Sequence, residues 1–314
     1  MKRPILEGLG PFPMFIFSSL TVLFTGLLFQ LLGVVTATLV YPLSFEEISF
    51  ITGIDDPVVI AAAKWIQIVG GLGTFVFSSL LLSFLYTGSW TGYFRFRKFS
   101  DPAAWGLVVL MVFLGLPFVN YLTEINQQVT LPFEGLNSFF RGLEDQTELF
   151  MKKFVETTTW QGLLVNILMI ALIPAIGEEL VFRGLLQRHF TEMTKNPHVA
   201  IIITSAIFSL VHFQLFSFLP RFFLGLILGY LYLYGRSLWF PILYHLVNNG
   251  TGVLFYFLYY RETTGDELET IGTSELVPVA ALASLLSITA VMVIWVLRVK
   301  RVNQIVPHDW AGKG

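Results

Sequence analysis

The sequence predicts an all-α, polytopic membrane protein of about eight transmembrane helices with an amphipathic interfacial helix. Three observations carry this: the charge content, the length of the apolar runs, and the sorting of lysine and arginine between loops. Of 314 residues only 13% are charged, while 55% are hydrophobic and 16% aromatic; an ordinary water-soluble domain carries roughly 25% charged residues. So little charge cannot coat a soluble body of this size, and a mean hydropathy of +0.72 points to lipid as the main solvent. Eight stretches, at residues 12–38, 57–86, 103–122, 160–188, 197–214, 218–235, 238–260 and 276–298, reach or approach the roughly 20 apolar residues that span a hydrocarbon core. Alternate loops between true spans should differ in basic residues. Twelve lysines and arginines against four acids fall on one side, and five against fifteen on the other. The basic side is the expected cytoplasmic side, and both termini lie on it.

Each element has its own signals. Behind Met1-Lys2-Arg3 the first apolar run is too long for a secretory signal core and ends without a clear small-residue cleavage site, so an uncleaved span is expected. The pairs Asp56-Pro57, Asp101-Pro102 and Asn196-Pro197 each put a capping side chain before a proline at the first helical position, which makes those three starts the firmest. Lys64 lies about two turns into its span and is expected to snorkel outward. Gly70, Gly71 and Gly73 on the second span, and Gly225 and Gly229 on the sixth, read as close helix contacts. Between 123 and 159, Phe133, Leu136, Phe140, Leu143, Phe150 and Phe154 recur at near-helical spacing. They form one face of a helix that either lies on the outer leaflet or packs on the bundle. No repeat, low-complexity tract or linker divides the chain, so one domain over 1–314 is expected. Cysteine is absent, which excludes disulfides and thiolate metal sites. A net charge of −2 without a basic-aromatic stripe sets nucleic acid aside as a partner.

Chemistry concentrates where lipid should be. An ionisable group at membrane depth costs about 2.5–3.5 kcal/mol on insertion scales, so each needs a partner or a purpose. Glu179 and Arg183 are four apart in the favourable acid-before-base order and can pair. Glu178 points about 100° away with no local partner, which suits a general base. Pro174, one turn earlier, is expected to kink the helix and free a carbonyl. Two further pairs sit at four-residue intervals, Phe208 with His212 and His245 with Asn249. His189, His198 and His308 read as solvated. Together Glu178, His212, His245 and Asn249 supply what peptide hydrolysis by an activated water requires: a base, a second proton-handling group and donors for an oxyanion. No serine lies in a recognisable nucleophile setting. The same residues leave two alternatives open. One is a zinc-dependent membrane protease, with a glutamate and two histidines as ligands; the other is a transporter or proton-coupled carrier relaying protons through buried glutamates and histidines.

The three motifs, Glu-Glu-x-x-x-Arg at 178–183, Phe-x-x-x-His at 208–212 and His-x-x-x-Asn at 245–249, resemble those of the type II CAAX prenyl proteases and bacteriocin-processing enzymes. These are intramembrane glutamate endopeptidases with eight-helix cores. The resemblance covers about 160–260, the expected catalytic core. It implies that Glu178 activates the water with help from His212, that His245 and Asn249 form the oxyanion hole, and that Glu179, Arg183 and Phe208 give structural support or hold substrate. Asn248 lies three residues from His245 and could face the site too; the motif spacing selects Asn249. No cofactor and no metal are implied. The expected partners are membrane lipid and a peptide or protein substrate that can carry a lipid, and the expected location is a bacterial inner membrane. Depth reckoned at 1.5 Å per residue puts Glu178 about 15 Å, His245 about 10 Å and His212 about 22 Å from the cytoplasmic ends of their spans. Those depths favour an opening toward the cytoplasm and leave His212 discordant.

Overall fold

A computed structural model describes residues 5–6, 8–50, 56–262 and 277–305. Both chain ends, the acidic stretch after Glu262 and His308 lie outside the described residues. Among those described, every regular element is helical: α1 (Pro11–Val40), the short α2 (Phe45–Phe50), α3 (Pro57–Thr87), α4 (Pro102–Gln127), α5 (Glu134–Val155), α6 (Trp160–Thr194), α7 (Pro197–Leu210), α8 (Phe218–Gly235), α9 (Trp239–Glu262) and α10 (Val277–Ile305). The caps expected at three starts are present. The Asp56 carboxylate accepts from the Val58 N–H at 2.7 Å, Asp101 from Ala103 at 3.1 Å, and the Asn196 side chain from His198 at 2.9 Å.

All eight expected spans are helices, and six are long and apolar enough to cross a membrane: α1, α3, α4, α6, α8 and α10. The other two fall short for different reasons. α7 has only 14 residues because it stops at Leu210, not 214. α9 has 24 residues but carries His245, Asn248 and Asn249 in its middle, which lowers its hydropathy.

Burial identifies the solvent. On α1 the buried residues are Ser18, Thr25, Gly33 and Ala37, while Leu20, Leu23, Phe24 and Leu27 are exposed at 61–74%. Small and polar side chains face the protein and large apolar ones face out, the reverse of a water-soluble helix and the arrangement that lipid permits. The chain is an integral membrane protein.

Inside, α4, α8, α9 and α10 close around Met111, Leu228, Leu231, Phe240, Tyr244 and Trp295. Small residues bring helices together as expected. A Cβ on Gly229 would sit 2.7 Å from Ile201 of α7, and one on Gly177 only 2.5 Å from the Cβ of Phe75 in α3. Three π-helical stretches interrupt the long helices, Leu72–Phe77 in α3 and Ile167–Leu172 and Leu180–Leu186 in α6. The last two flank the short α-helical stretch Ile173–Glu179 that carries both acids.

Two side chains behave differently from expectation. Lys64 does not snorkel: its Nζ donates to the Asn166 side-chain oxygen at 2.8 Å, and the Asn166 amide donates in turn to the Val155 carbonyl at 3.1 Å. His189 is fully buried, not solvated, because α6 continues past 188 and carries it beneath α1. There its Nε2 lies 3.1 Å from the Ser18 hydroxyl, which is itself 3.0 Å from the Tyr86 hydroxyl. His198 is exposed.

The polar connection is helical over α5, and its C-terminal end packs on the bundle. Phe133, Leu136 and Phe139 are exposed at 70%, 45% and 59%, whereas Phe154 and Val155 are buried on the bundle. α5 thus leaves an apolar edge uncovered by protein along part of its length.

The contact of Gly177 with Phe75 fixes the stretch bearing Glu178 against α3. Gly177→Ala should cost about 1–3 kcal/mol through overpacking and lower the melting temperature in detergent. Gly142→Ala, where nothing lies within 4 Å of an added Cβ, should not; equal melting of the two variants would contradict this packing.

Candidate active site

The site grows from the pair of acids on α6. Glu179 is fully buried. Its Oε1 lies 2.7 Å from Arg183 Nη1 and 2.9 Å from His245 Nδ1. Arg183 also donates through Nη2 to the Gly225 carbonyl of α8 at 3.2 Å, and its guanidinium carbon sits 4.8 Å from the centre of the Phe208 ring. The pairing read from the four-residue spacing is present, and it extends further, into a chain Arg183–Glu179–His245 that joins α6 to α9. A carboxylate paired with arginine can only accept, so His245 donates from Nδ1. The ring is thereby oriented with Nε2 toward Glu178.

Glu178 has no partner on its own helix, as expected. Across the gap its Oε2 lies 3.9 Å from His245 Nε2, and its side chain is 13% exposed. That separation is too long for a direct hydrogen bond and short enough for a bridging water.

His212 reaches the site from beyond the end of a helix. After Leu210 the chain turns, with His212 N–H donating to the Ser209 carbonyl at 3.3 Å and Phe213 N–H to Leu210 at 3.0 Å. Phe213 takes a left-handed φ of 55°. The His212 ring folds back so that Nδ1–H donates to the Phe208 carbonyl at 2.8 Å, leaving Nε2 as its acceptor. His212 thus meets the cavity from a turn just beyond the helix, not from a straight helix continued to 214. Phe208, buried to 1% exposure, stands between the two imidazoles at ring-centre distances of 5.4 Å to His212 and 6.0 Å to His245.

Asn249 has a job the motif did not disclose. Its Nδ2 donates to the Ile170 carbonyl at 3.0 Å, and its Oδ1 accepts from Asn248 at 3.2 Å. Ile170 is four residues before Pro174, whose missing N–H would have been that carbonyl's α-helical donor. The carbonyl expected to be freed by the proline is the one that Asn249 takes, and one N–H of the Asn249 amide remains.

Glu178, Phe208, His212, His245, Asn248 and Asn249 all line one cavity of about 730 Å³. All four residues expected to act, and Phe208, meet there, while Glu179 and Arg183 lie behind it. Asn248, which the spacing set aside, faces the cavity too. The cavity is walled on one side by Glu148, Met151, Phe154 and Val155 of α5, the connection that charge sorting assigns to the outer side. Gln67, Arg221 and Tyr256 also line the cavity, as does Lys152. Arg221 left a trace in the sequence, a charge in the first turn of an apolar helix, and it read as a loop residue.

The buried chain generates a stability prediction. Arg183→Met takes the guanidinium from Glu179 and leaves it only the His245 N–H as partner, which should cost about 3–5 kcal/mol. The double variant Glu179→Gln/Arg183→Met should recover part of that loss in a thermal melt. A single variant as stable as wild type would contradict the pairing.

Comparison with known proteins agrees with this geometry. Residues 160–251 match the family described as type II CAAX prenyl endopeptidase Rce1-like. No curated protein and no solved structure matches the chain. The matched segment opens with α6 and ends just after Asn249, so it contains every residue gathered at the cavity from α6, α7, the first turn of α8 and the first half of α9. Over that segment, which is under a third of the chain, the protein is similar to the Rce1-like type II CAAX prenyl endopeptidases, and the likeness fits a membrane endopeptidase.

Proposed function

We propose that this protein is an intramembrane endopeptidase that hydrolyses peptide bonds of membrane-associated or lipidated peptides with a water activated by Glu178. The observation that carries the reading is the facing of Glu178 Oε2 and His245 Nε2 at 3.9 Å across a cavity inside an otherwise apolar bundle. A water held there loses a proton to Glu178 as its oxygen attacks the carbonyl carbon. His212, with Nδ1 committed to the Phe208 carbonyl, presents Nε2 to orient that water. The carbonyl oxygen gains negative charge and is met by the remaining Asn249 N–H and by His245, when its Nε2 also carries a proton. Glu178 then returns its proton to the leaving nitrogen.

No step in this scheme uses a metal or a cofactor. The catalytic core is 160–260, and the whole chain acts as one unit. The protein resides in a bacterial inner membrane with both termini cytoplasmic, and the α5 side of the cavity faces outward.

Purified wild type should cleave members of a fluorogenic peptide library. Glu178→Gln should lower kcat at least about 100-fold, the scale of a lost general base, with an unchanged melting temperature. Activity should survive 1,10-phenanthroline, whereas a zinc-bound site would lose it. Equal cleavage by wild type and Glu178→Gln would end the hydrolase reading.

A further inference from the structure

Arg221 is the cation that the scheme above leaves without a use. It lies in the first turn of α8 and lines both the cavity holding Glu178 and an adjoining cavity of about 750 Å³. Its contacts are with neutral acceptors, the Ser217 carbonyl at 3.5 Å and the Gln214 side-chain oxygen. Among the described residues no carboxylate lies within ion-pair distance of it; Glu144 and Glu178 are the acids whose charge it feels through space.

The neighbouring charges are otherwise engaged. Glu144 accepts from the Phe216 N–H at 3.0 Å and from the Ser217 hydroxyl. Arg141 lies 3.9 Å over the Phe216 ring and donates to the Gln127 and Val129 carbonyls. Glu148 pairs with Lys152 at 3.1 Å, and Asp145 lines only the adjoining cavity. A half-buried guanidinium in a membrane bundle, satisfied by two neutral oxygens, keeps its charge for an anion, and its planar fork fits a carboxylate. A smaller space of about 250 Å³ shares Gln67, Met151 and Phe154 with the Glu178 cavity and adds Gln30, Ala63, Ile66, Thr147 and Phe150. Arg221 lines the first two cavities and not this third one, whose lining carries no charged side chain.

We infer that Arg221 binds a carboxylate of the substrate, at the peptide's C-terminus or on an acidic side chain, and so selects which peptide bond meets Glu178. The inference rests on the hydrolase reading and adds a direction: the anionic part of the peptide lies toward the first turn of α8.

The test uses one cleavable fluorogenic peptide in three forms: with a free C-terminal carboxylate, with an amidated C-terminus, and with its acidic side chain changed to the amide. Wild type should show a KM at least 10-fold lower for the form carrying the recognised carboxylate, with little change in kcat. The free-acid and amide pair reports a terminal carboxylate, and the side-chain pair reports an internal one. Arg221→Gln should erase the preference and Arg221→Lys should restore part of it. Binding of the same peptides to full-length E178Q, by fluorescence anisotropy, should show the same preference without turnover. If wild type treats charged and neutral forms alike, or if Arg221→Gln lowers kcat equally for all three, the assignment is wrong even though hydrolysis stands. If binding to E178Q discriminates but no peptide is cleaved by wild type, the hydrolase reading fails and the Arg221 assignment does not.

Discussion

The buried chain from Arg183 through Glu179 to His245 is the constraint on which the rest of the site depends. Two charges removed from water are tolerable only together, and the carboxylate between the guanidinium and the imidazole satisfies both. Because Arg183 also holds a carbonyl of α8 and packs on Phe208 of α7, one pair ties four helices to a single point. Glu178, the next residue, inherits its position from that pair. It is placed at the protein wall of the cavity while its neighbour is locked behind it.

The irregular parts of α6 serve the same end. A regular helix from Trp160 to Thr194 would leave no carbonyl free inside the bundle. Proline at 174 and the π-helical stretches on either side change that locally, and the Ile170 carbonyl is claimed by Asn249 of α9. The α6–α9 contact is therefore built twice, once through Glu179 and His245 and once through Ile170 and Asn249. Phe208 supplies the third side by standing edge-on to both imidazoles. The result is a small polar room whose walls are ordinary membrane-helix packing and whose polar groups are oriented before any substrate arrives.

Much of this was legible in the sequence because membranes simplify the reading. Lipid makes any buried charge conspicuous, so Glu178, Glu179, Arg183, His212, His245 and Asn249 stood out, and proline-capped starts located three helices. What escaped depended on contacts between helices. Lys64 read as snorkelling because nothing in its own span names Asn166 as its acceptor. His189 read as solvated because the end of α6 cannot be placed by hydropathy once the polar residues 187–194 begin. The approach of His212 depends on a turn after Leu210 that an apolar run to 214 conceals. Arg221 belongs to the cavity, which a lone charge at the start of an apolar run does not disclose.

The central claim is that Glu178 acts on a water and not as a nucleophile. A single turnover of a cleavable peptide in water enriched in oxygen-18 tests it most directly, with mass spectrometry of both the product and the protein. The account predicts one heavy oxygen in the new carboxyl terminus of the product and none in the peptide of the protein that contains Glu178. Heavy oxygen in the Glu178 carboxylate after the first turnover would mean a covalent acyl intermediate and would contradict it.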